Sequence, residues 1–304
     1  MTSSSRNRVR LNGIFLLDKP IGISSNGALQ RVKNIFQAMK AGHTGSLDPL
    51  ATGMLPICFG DATKYSQYLL DSDKTYAVTM QLGVRTTTSD AEGEVVSTRD
   101  VPALSLEAID HAFNPFRGVS QQIPSMFSAL KHNGVPLYEY ARKGITIDRP
   151  SRPIKIYNLT VLSINDHFVE FTVKCSKGTY VRTLVDDVGE ILGCGAHVTA
   201  LRRVSVGPYL ESQMMTIEKL NDLIAENNTV LKSLLLPVDT AIQHWPIIPV
   251  TEEITLALKQ GKSVTIAGAP TSGWMRFSDP EGVFFGIGEA LPEGVIAPRR
   301  LVRL

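Results

Sequence analysis

The sequence predicts a mixed α+β protein with mainly antiparallel strands, followed by a small β-rich C-terminal unit. Three observations carry this. Stretches of period-two hydrophobicity, such as "KTYAVTMQLGV" at 74–84 and "HFVEFTVKCS" at 167–176, are interspersed with stretches of helical period. No regular strand–helix–strand alternation runs through the chain, so an all-parallel sheet is disfavoured. From about residue 246 the texture changes to short strands punctuated by glycine: "KSVTIAG", "GWMRFSD", "GVFFGIGEA" and "GVIAPRRLV".

Taken in order, "NGIFLLDKPIGISS" reads as a buried strand running into a Pro/Gly turn. A helix follows with Ala28, Leu29, Val32, Ile35, Phe36 and Met39 on one face. The stretch "AGHTGSLDPLATGMLP" at 41–56 has neither period and reads as a loop. In the strand at 74–84, Tyr76, Val78, Met80 and Leu82 share a face. Ser105 can cap a short helix holding Leu106, Ile109 and Phe113. Residues 121–153 combine turn residues, bases and aromatics and read as an excursion from the core, with a short helix near 136–143. Val169, Phe171, Val173 and Cys175 form the inward face of the next strand. The helix after it turns Leu184, Val185, Val188, Ile191 and Leu192 inward and ends at Gly193. "TIEKLNDLIAEN" is a further amphipathic helix, and Thr251 caps a short one reaching Lys259.

With 304 residues, 43% of them hydrophobic and 20% charged, the chain is long enough for about two domains with sizeable cores. The net charge of +2 is too small to argue for nucleic acid. Its distribution says more. Lys131, Arg142, Lys143, Arg149, Arg152 and Lys155 face only Glu139 and Asp148 within 131–155. Arg6, Arg8 and Arg10 lie near the start, and Arg299, Arg300 and Arg303 near the end. Solvated surface is the ordinary reading of any one such cluster. Cys58, Cys175 and Cys194 lack metal-ligand spacing and read as reduced, buried thiols, which points to the cytoplasm. Nothing reads as a signal peptide, and the apolar runs "GIFLL" and "SLLLPV" are too short to span a bilayer.

Asp48 is the only acid within ten residues on either side. Gly42, Gly45 and Gly53 allow unusual backbone and close approach, and Pro49 restricts Asp48 to extended conformations. One reading is a turn cap. The other is a single aimed carboxylate. "GHTGSLDP" lacks the Gly-Lys-Ser/Thr ending of a phosphate loop, which excludes an NTPase of that type. His43 and Asp48 alone are too few for zinc. A glycosidase would need a second acid that the sequence does not reveal. A covalent adduct, or electrostatic support of a sugar cation, remains. Tyr76 and Tyr180 also fit as core tyrosines, Arg182 as a surface arginine and Asp90 as a turn residue.

Four blocks carry a resemblance. "LLDKPIGISSN", "GHTGSLDPLATGMLPICFGDATK", "DKTYAVTMQLGVRTTTSDAEGEV" and "KGTYVRTLVDDVGEILGCGAHVTALRRVSVGPY" occur in that order and cover most of 11–240. Together they resemble the TruB-type tRNA pseudouridine synthases, named for uridine 55 of the T-loop. The resemblance implies a flexible N-terminus at 1–10 and a pseudouridine synthase catalytic domain at 11–245, with a mixed, mainly antiparallel sheet and flanking helices. It also implies an RNA-gripping insert at 121–153 and a PUA-like RNA-binding domain at 246–304. "QIPSMFSALK" departs from the family pattern, with Ile123 in place of a second proline and Phe127 in place of tyrosine.

The implied reaction flips a uridine out, breaks its glycosidic bond, rotates the base, forms a carbon–carbon bond and releases one ring proton. It needs no redox cofactor, nucleotide or metal. By resemblance, Asp48 is the catalytic carboxylate, and its route (attack on base, attack on ribose, or sugar deprotonation) stays open. Tyr76 stacks on uracil and accepts or relays a proton. Tyr180 and Leu201 wall the pocket, Arg182 pairs with Asp48, and Asp90 orients Arg182. His43 fills the space the base leaves, and Lys64 contacts a phosphate or the site. The implied partner is the tRNA T-arm, bound by a cytoplasmic monomer without membrane or guide RNA. Two rivals share the fold: a catalytically idle tRNA-binding or folding module, and the guide-RNA-dependent enzymes. The insert favours the stand-alone type.

Overall fold

The computed structural model describes residues 8–226 and 228–302. Among them the largest assembly is a nine-stranded sheet. Its strands run in the order Gly13–Lys19, Thr52–Phe59, Ala196–Val206, Lys74–Leu82, Phe168–Cys175, Arg152–Asn165 and Gly118–Gln122. Ala41–His43 adds to Thr52–Phe59, and Tyr209–Leu210 adds to Ala196–Val206. Every pairing is antiparallel except one. Ala196–Val206 meets Thr52–Phe59 in parallel, with Arg202 opposite Thr52 and Arg203 opposite Gly53. A side chain at Gly53 would put a Cβ 2.3 Å from the Arg203 carbonyl oxygen, and its φ is 96°. Only glycine fits that junction.

Period-two burial explains the centre of this sheet. Val78, Met80, Leu82, Val169, Phe171, Val173 and Cys175 pack against Leu184, Val185 and Val188 of helix Val181–Ile191. Ile109 and Phe113, at helix Leu106–Ala112, cover the same cluster. Gly189 lets helix Val181–Ile191 touch the start of the interior strand Ala196–Val206, because a Cβ there would lie 2.2 Å from the Ala196 amide nitrogen.

Several local expectations need correction. The stretch 41–56 is a loop only in its middle, since Thr52–Phe59 is a strand. Its residues from Gly53 onward are all buried, so both faces are apolar and no alternation marks it. The first helix, Ser25–Ile35, stops before Met39, which is 51% exposed after a left-handed turn at Gln37. Ile191, expected inside, sits at a helix end and is exposed. Strands Arg152–Asn165 and Ala196–Val206 carry polar residues that break the hydrophobic pattern, and Arg203 is buried within it.

Within 121–153, a hairpin pairs Lys131–His132 with Val135–Pro136 through left-handed Asn133 and Gly134. Helix Leu137–Ala141 follows. The three cysteines are free and buried. No helix among the described residues is long and apolar enough to cross a membrane.

A second sheet orders Ile247–Pro249, Gly273–Ser278, Phe284–Ala290, Val295–Leu301 and Val264–Thr265. Thr251 Oγ1 caps its helix, Glu252–Lys259, by accepting from the Ile254 amide. This sheet is docked firmly on the first. Ile287 and Val302 share a core cluster with Ile14 and Met54. Trp245 stacks on Trp274 at 5.3 Å, and Tyr65 donates to the Arg300 carbonyl. At the other end Val9 bridges to Ala38. Residues 1–7 and 303–304, with Arg6 and Arg303, lie outside the described residues.

Candidate active site

The loop between Ala41–His43 and Thr52–Phe59 is fixed through its backbone. Ser25 Oγ accepts from the Leu47 amide at 2.7 Å and donates to its carbonyl at 3.0 Å. The Arg203 guanidinium donates to the carbonyls of Met54 (2.7 Å) and Gly45 (3.1 Å). Pro49 offers its carbonyl to the Gly22 amide at 2.8 Å and to Lys19 Nζ at 3.4 Å. These bonds leave the Asp48 carboxylate unused as a cap.

That carboxylate turns to Arg182, whose Nε lies 2.9 Å from Oδ2. Both terminal nitrogens of the guanidinium are engaged as well. Its Nη1 donates to the Thr88 carbonyl at 2.9 Å and lies 3.2 Å from Asp90 Oδ2. Its Nη2 donates to the Phe127 carbonyl at 2.8 Å. Asp90 is fixed in turn, accepting from Thr88 Oγ1 at 2.5 Å and the Glu92 amide at 3.1 Å. The side chains of Arg182 and Asp90 are 6% and 3% exposed, that of Asp48 40%. Burial of its surroundings pushes the Asp48 carboxyl above the ordinary range, Arg182 pulls it back, and Asp90 pushes it up again.

Asp48 faces a cavity of about 370 Å³, which Tyr76, Phe127, Tyr180, Arg182 and Leu201 also line. Tyr76 belongs to the strand Lys74–Leu82 and Leu201 to Ala196–Val206. Tyr180 caps the N-terminus of the helix that carries Arg182. Burial pushes the Tyr76 hydroxyl up from its ordinary value, with nearby Arg203 opposing, so the group is a neutral phenol at physiological pH.

Five of the residues singled out in the sequence therefore meet at one cavity: Asp48, Tyr76, Tyr180, Arg182 and Leu201. Asp90 reaches it only through Arg182. His43 does not line it; its Nδ1 is buried without a partner among the described residues, and burial lowers its pKa. Lys64 is not brought to the cavity. Its ammonium donates to the Leu301 carbonyl at 2.9 Å and pairs with Asp61 at 3.0 Å.

Sequence reasoning missed Lys74 and Arg203, both of which line the cavity. Lys74 is 7% exposed and donates to the carbonyls of Leu69, Leu70 and Ser72, and burial lowers its pKa to about 8. Arg203 is 1% exposed. The available signal was a base at an inward position of an alternating strand: Lys74 in phase with Tyr76 and Val78, Arg203 in phase with Leu201.

Residues 33–181 match the N-terminal domain of the TruB family pseudouridylate synthases. Residues 182–243 match the C-terminal domain of tRNA pseudouridylate synthase B, and 246–302 match the TruB C-terminal region of pseudouridine synthase II. The chain is 53% identical to tRNA pseudouridine synthase B of Vibrio parahaemolyticus over 300 residues, covering 96% of this chain and 95% of that protein. The chain belongs to the TruB family. The corresponding protein of Coxiella burnetii is 51% identical over 294 residues, covering 96% and 95%. Among solved structures, a chain of a Cbf5–Nop10–Gar1 complex superposes with a TM-score of 0.73 at 26% identity, covering 95% of this chain and 83% of that one. An H/ACA RNP bound to a substrate RNA containing 2′-deoxyuridine gives 0.72 at 24%, covering 96% and 85%, and shares the fold.

Proposed function

We propose that this TruB-family chain isomerises the T-loop uridine 55 of tRNA to pseudouridine, as a cytoplasmic monomer without a guide RNA. The observation that carries the reading is a single carboxylate, Asp48, held by one edge on a buried arginine and open to a cavity of about 370 Å³. The near-full-length relatives are named tRNA pseudouridine synthase B, which favours an enzyme over an idle tRNA-binding module. The neighbour from a multi-protein complex is much less similar, at 26% identity, which favours stand-alone action.

In this reading the flipped uridine enters the cavity with its base between Tyr76 and Leu201 and with Tyr180 along the wall. Asp48 supplies the negative charge at the reacting sugar or base. Arg182 fixes the carboxylate's direction and opposes the burial that would otherwise neutralise it. Asp90 fixes Arg182 from the far side. Tyr76, as a neutral phenol, stacks on the ring and relays the departing proton rather than standing by as a phenolate base. His43 occupies the space left in the RNA, and Lys64 meets a phosphate from the surface. Residues 11–245 form the catalytic domain, the insert 121–153 grips the T-arm with its bases, and 246–304 act as a PUA-like RNA-binding domain.

A bare T-arm stem-loop carrying tritium on uracil C5 tests this, because forming the carbon–carbon bond releases that tritium to water. The purified protein alone is expected to release one equivalent per site. Binding without release would identify an idle module, and release only with an added guide RNA would identify a guided enzyme.

A further inference from the structure

The strand Gly118–Gln122 runs into the root of the insert, and the side chain of its last residue meets the backbone of Tyr180. Gln122 is 4% exposed. Its amide grips the backbone of Tyr180: Nε2 donates to the Tyr180 carbonyl at 3.0 Å, and the Tyr180 amide donates to Oε1 at 2.8 Å. The pattern fixes the amide's orientation, since a flip would set donor against donor and acceptor against acceptor. The pair imitates one rung of an antiparallel ladder, placed where no strand runs.

Tyr180 is the N-cap residue of helix Val181–Ile191 and has no side-chain cap bond. Its carbonyl already accepts from the Leu184 amide at 3.1 Å, so Gln122 supplies that oxygen's second bond. The helix start therefore hangs on Gln122. Two residues further along the helix comes Arg182, whose Nη2 meets the carbonyl of Phe127, five residues beyond Gln122. The root of the insert holds Tyr180 from one side and Arg182 from the other.

We propose that Gln122 is a positioning residue for the reaction: through the Tyr180 peptide it sets the pocket wall and the helix turn from which Arg182 reaches Asp48. The inference rests on the reading of the cavity as the uridine site. It makes the insert part of the catalytic wall as well as a grip on RNA.

Gln122→Glu tests this at nearly constant shape. Ionised, the carboxylate accepts from the Tyr180 amide but faces the Tyr180 carbonyl without a proton. Protonated, it donates to that carbonyl as the amide does. Burial raises the pKa of such a carboxyl, so the protonated form returns as pH falls. Single-turnover tritium release at saturating stem-loop is measured for parent and variant from pH 5.5 to 8.5, with the melting temperature and stem-loop Kd. The variant's rate is expected about 30-fold below the parent's at pH 8.5, with the ratio closing to within about threefold at pH 5.5. Its Kd is expected to stay within about twofold, the loss residing in positioning rather than RNA grip. Comparing the two proteins at each pH cancels the titration of Asp48. A ratio near one throughout would overturn the proposal, as would a loss independent of pH. A Gln122→Leu variant, if folded, should show the loss with no recovery at low pH; recovery there would also overturn it. An inactive parent would instead sink the uridine-site reading.

Discussion

Asp48 and Asp90 reach the same guanidinium from two different loops, and their surroundings divide their labour. Asp90 is buried and saturated: its carboxylate takes Thr88 Oγ1, the Glu92 amide and Arg182 Nη1. Asp48 has Arg182 Nε on one oxygen and a cavity beyond it. A carboxylate whose bonds are all internal holds a structure together. One whose open side meets a substrate-sized space is available for chemistry. The same arginine serves both, and the strands and helix around it decide which acid is exposed.

This contrast can be broken or sharpened experimentally. Apart from replacing Asp48 itself, the largest effect is expected from Arg182→Lys, which keeps a charge but cannot bridge Asp48, Asp90 and the carbonyls of Thr88 and Phe127 at once. Single-turnover tritium release should fall about 10³-fold; a loss under tenfold would mean that the fork is unimportant. Tyr76→Phe touches only the open side. Its release rate should drop about 10²-fold with the melting temperature unchanged, and full activity would remove the hydroxyl from the proton path. Asp90→Asn touches only the closed side. It leaves a buried arginine poorly paired and should cost about 3 kcal/mol in urea unfolding, with about a tenfold rate loss from the misaligned Arg182. A variant as stable as the parent would contradict the structural role assigned to Asp90. The smallest effect on chemistry is expected from neutralising Lys131, Arg142 and Lys143 together. Rates at saturating tRNA should hold, while the slope of log K against log salt shrinks by about 2.

Much of the fold was legible because burial and period coincide. From Val169 onward, Phe168–Cys175 alternates in both sequence and exposure. Thr52–Phe59 was not legible as a strand because both its faces are buried. Ala196–Val206 was hidden by its arginines: Arg203 is inward and bonded to backbone carbonyls, and half-buried Arg202 is ion-paired with Asp18 and Glu211. At the site, the ion pair between Asp48 and Arg182 joins residues far apart in sequence, and only the resemblance to a known family suggested it. Lys74, Gln122 and Arg203 went unread for a different reason. Their partners are backbone carbonyls and amides, which leave no mark in residue type.

The most direct test of the central claim is tritium release by Asp48→Asn over a pH series, with thermal melts alongside. The parent rate should rise with pH through a midpoint above the ordinary aspartate range and then level, because burial outweighs Arg182 in setting that carboxyl's pKa. A carboxyl whose pKa is raised by folding contributes stability at low pH and loses it as pH rises through the folded value. The asparagine variant should therefore melt no lower than the parent at pH 7.5, yet release tritium at least about 10⁴-fold more slowly. Release within tenfold of the parent, from a protein with an intact melt, would contradict the assignment of Asp48 as the single working carboxylate.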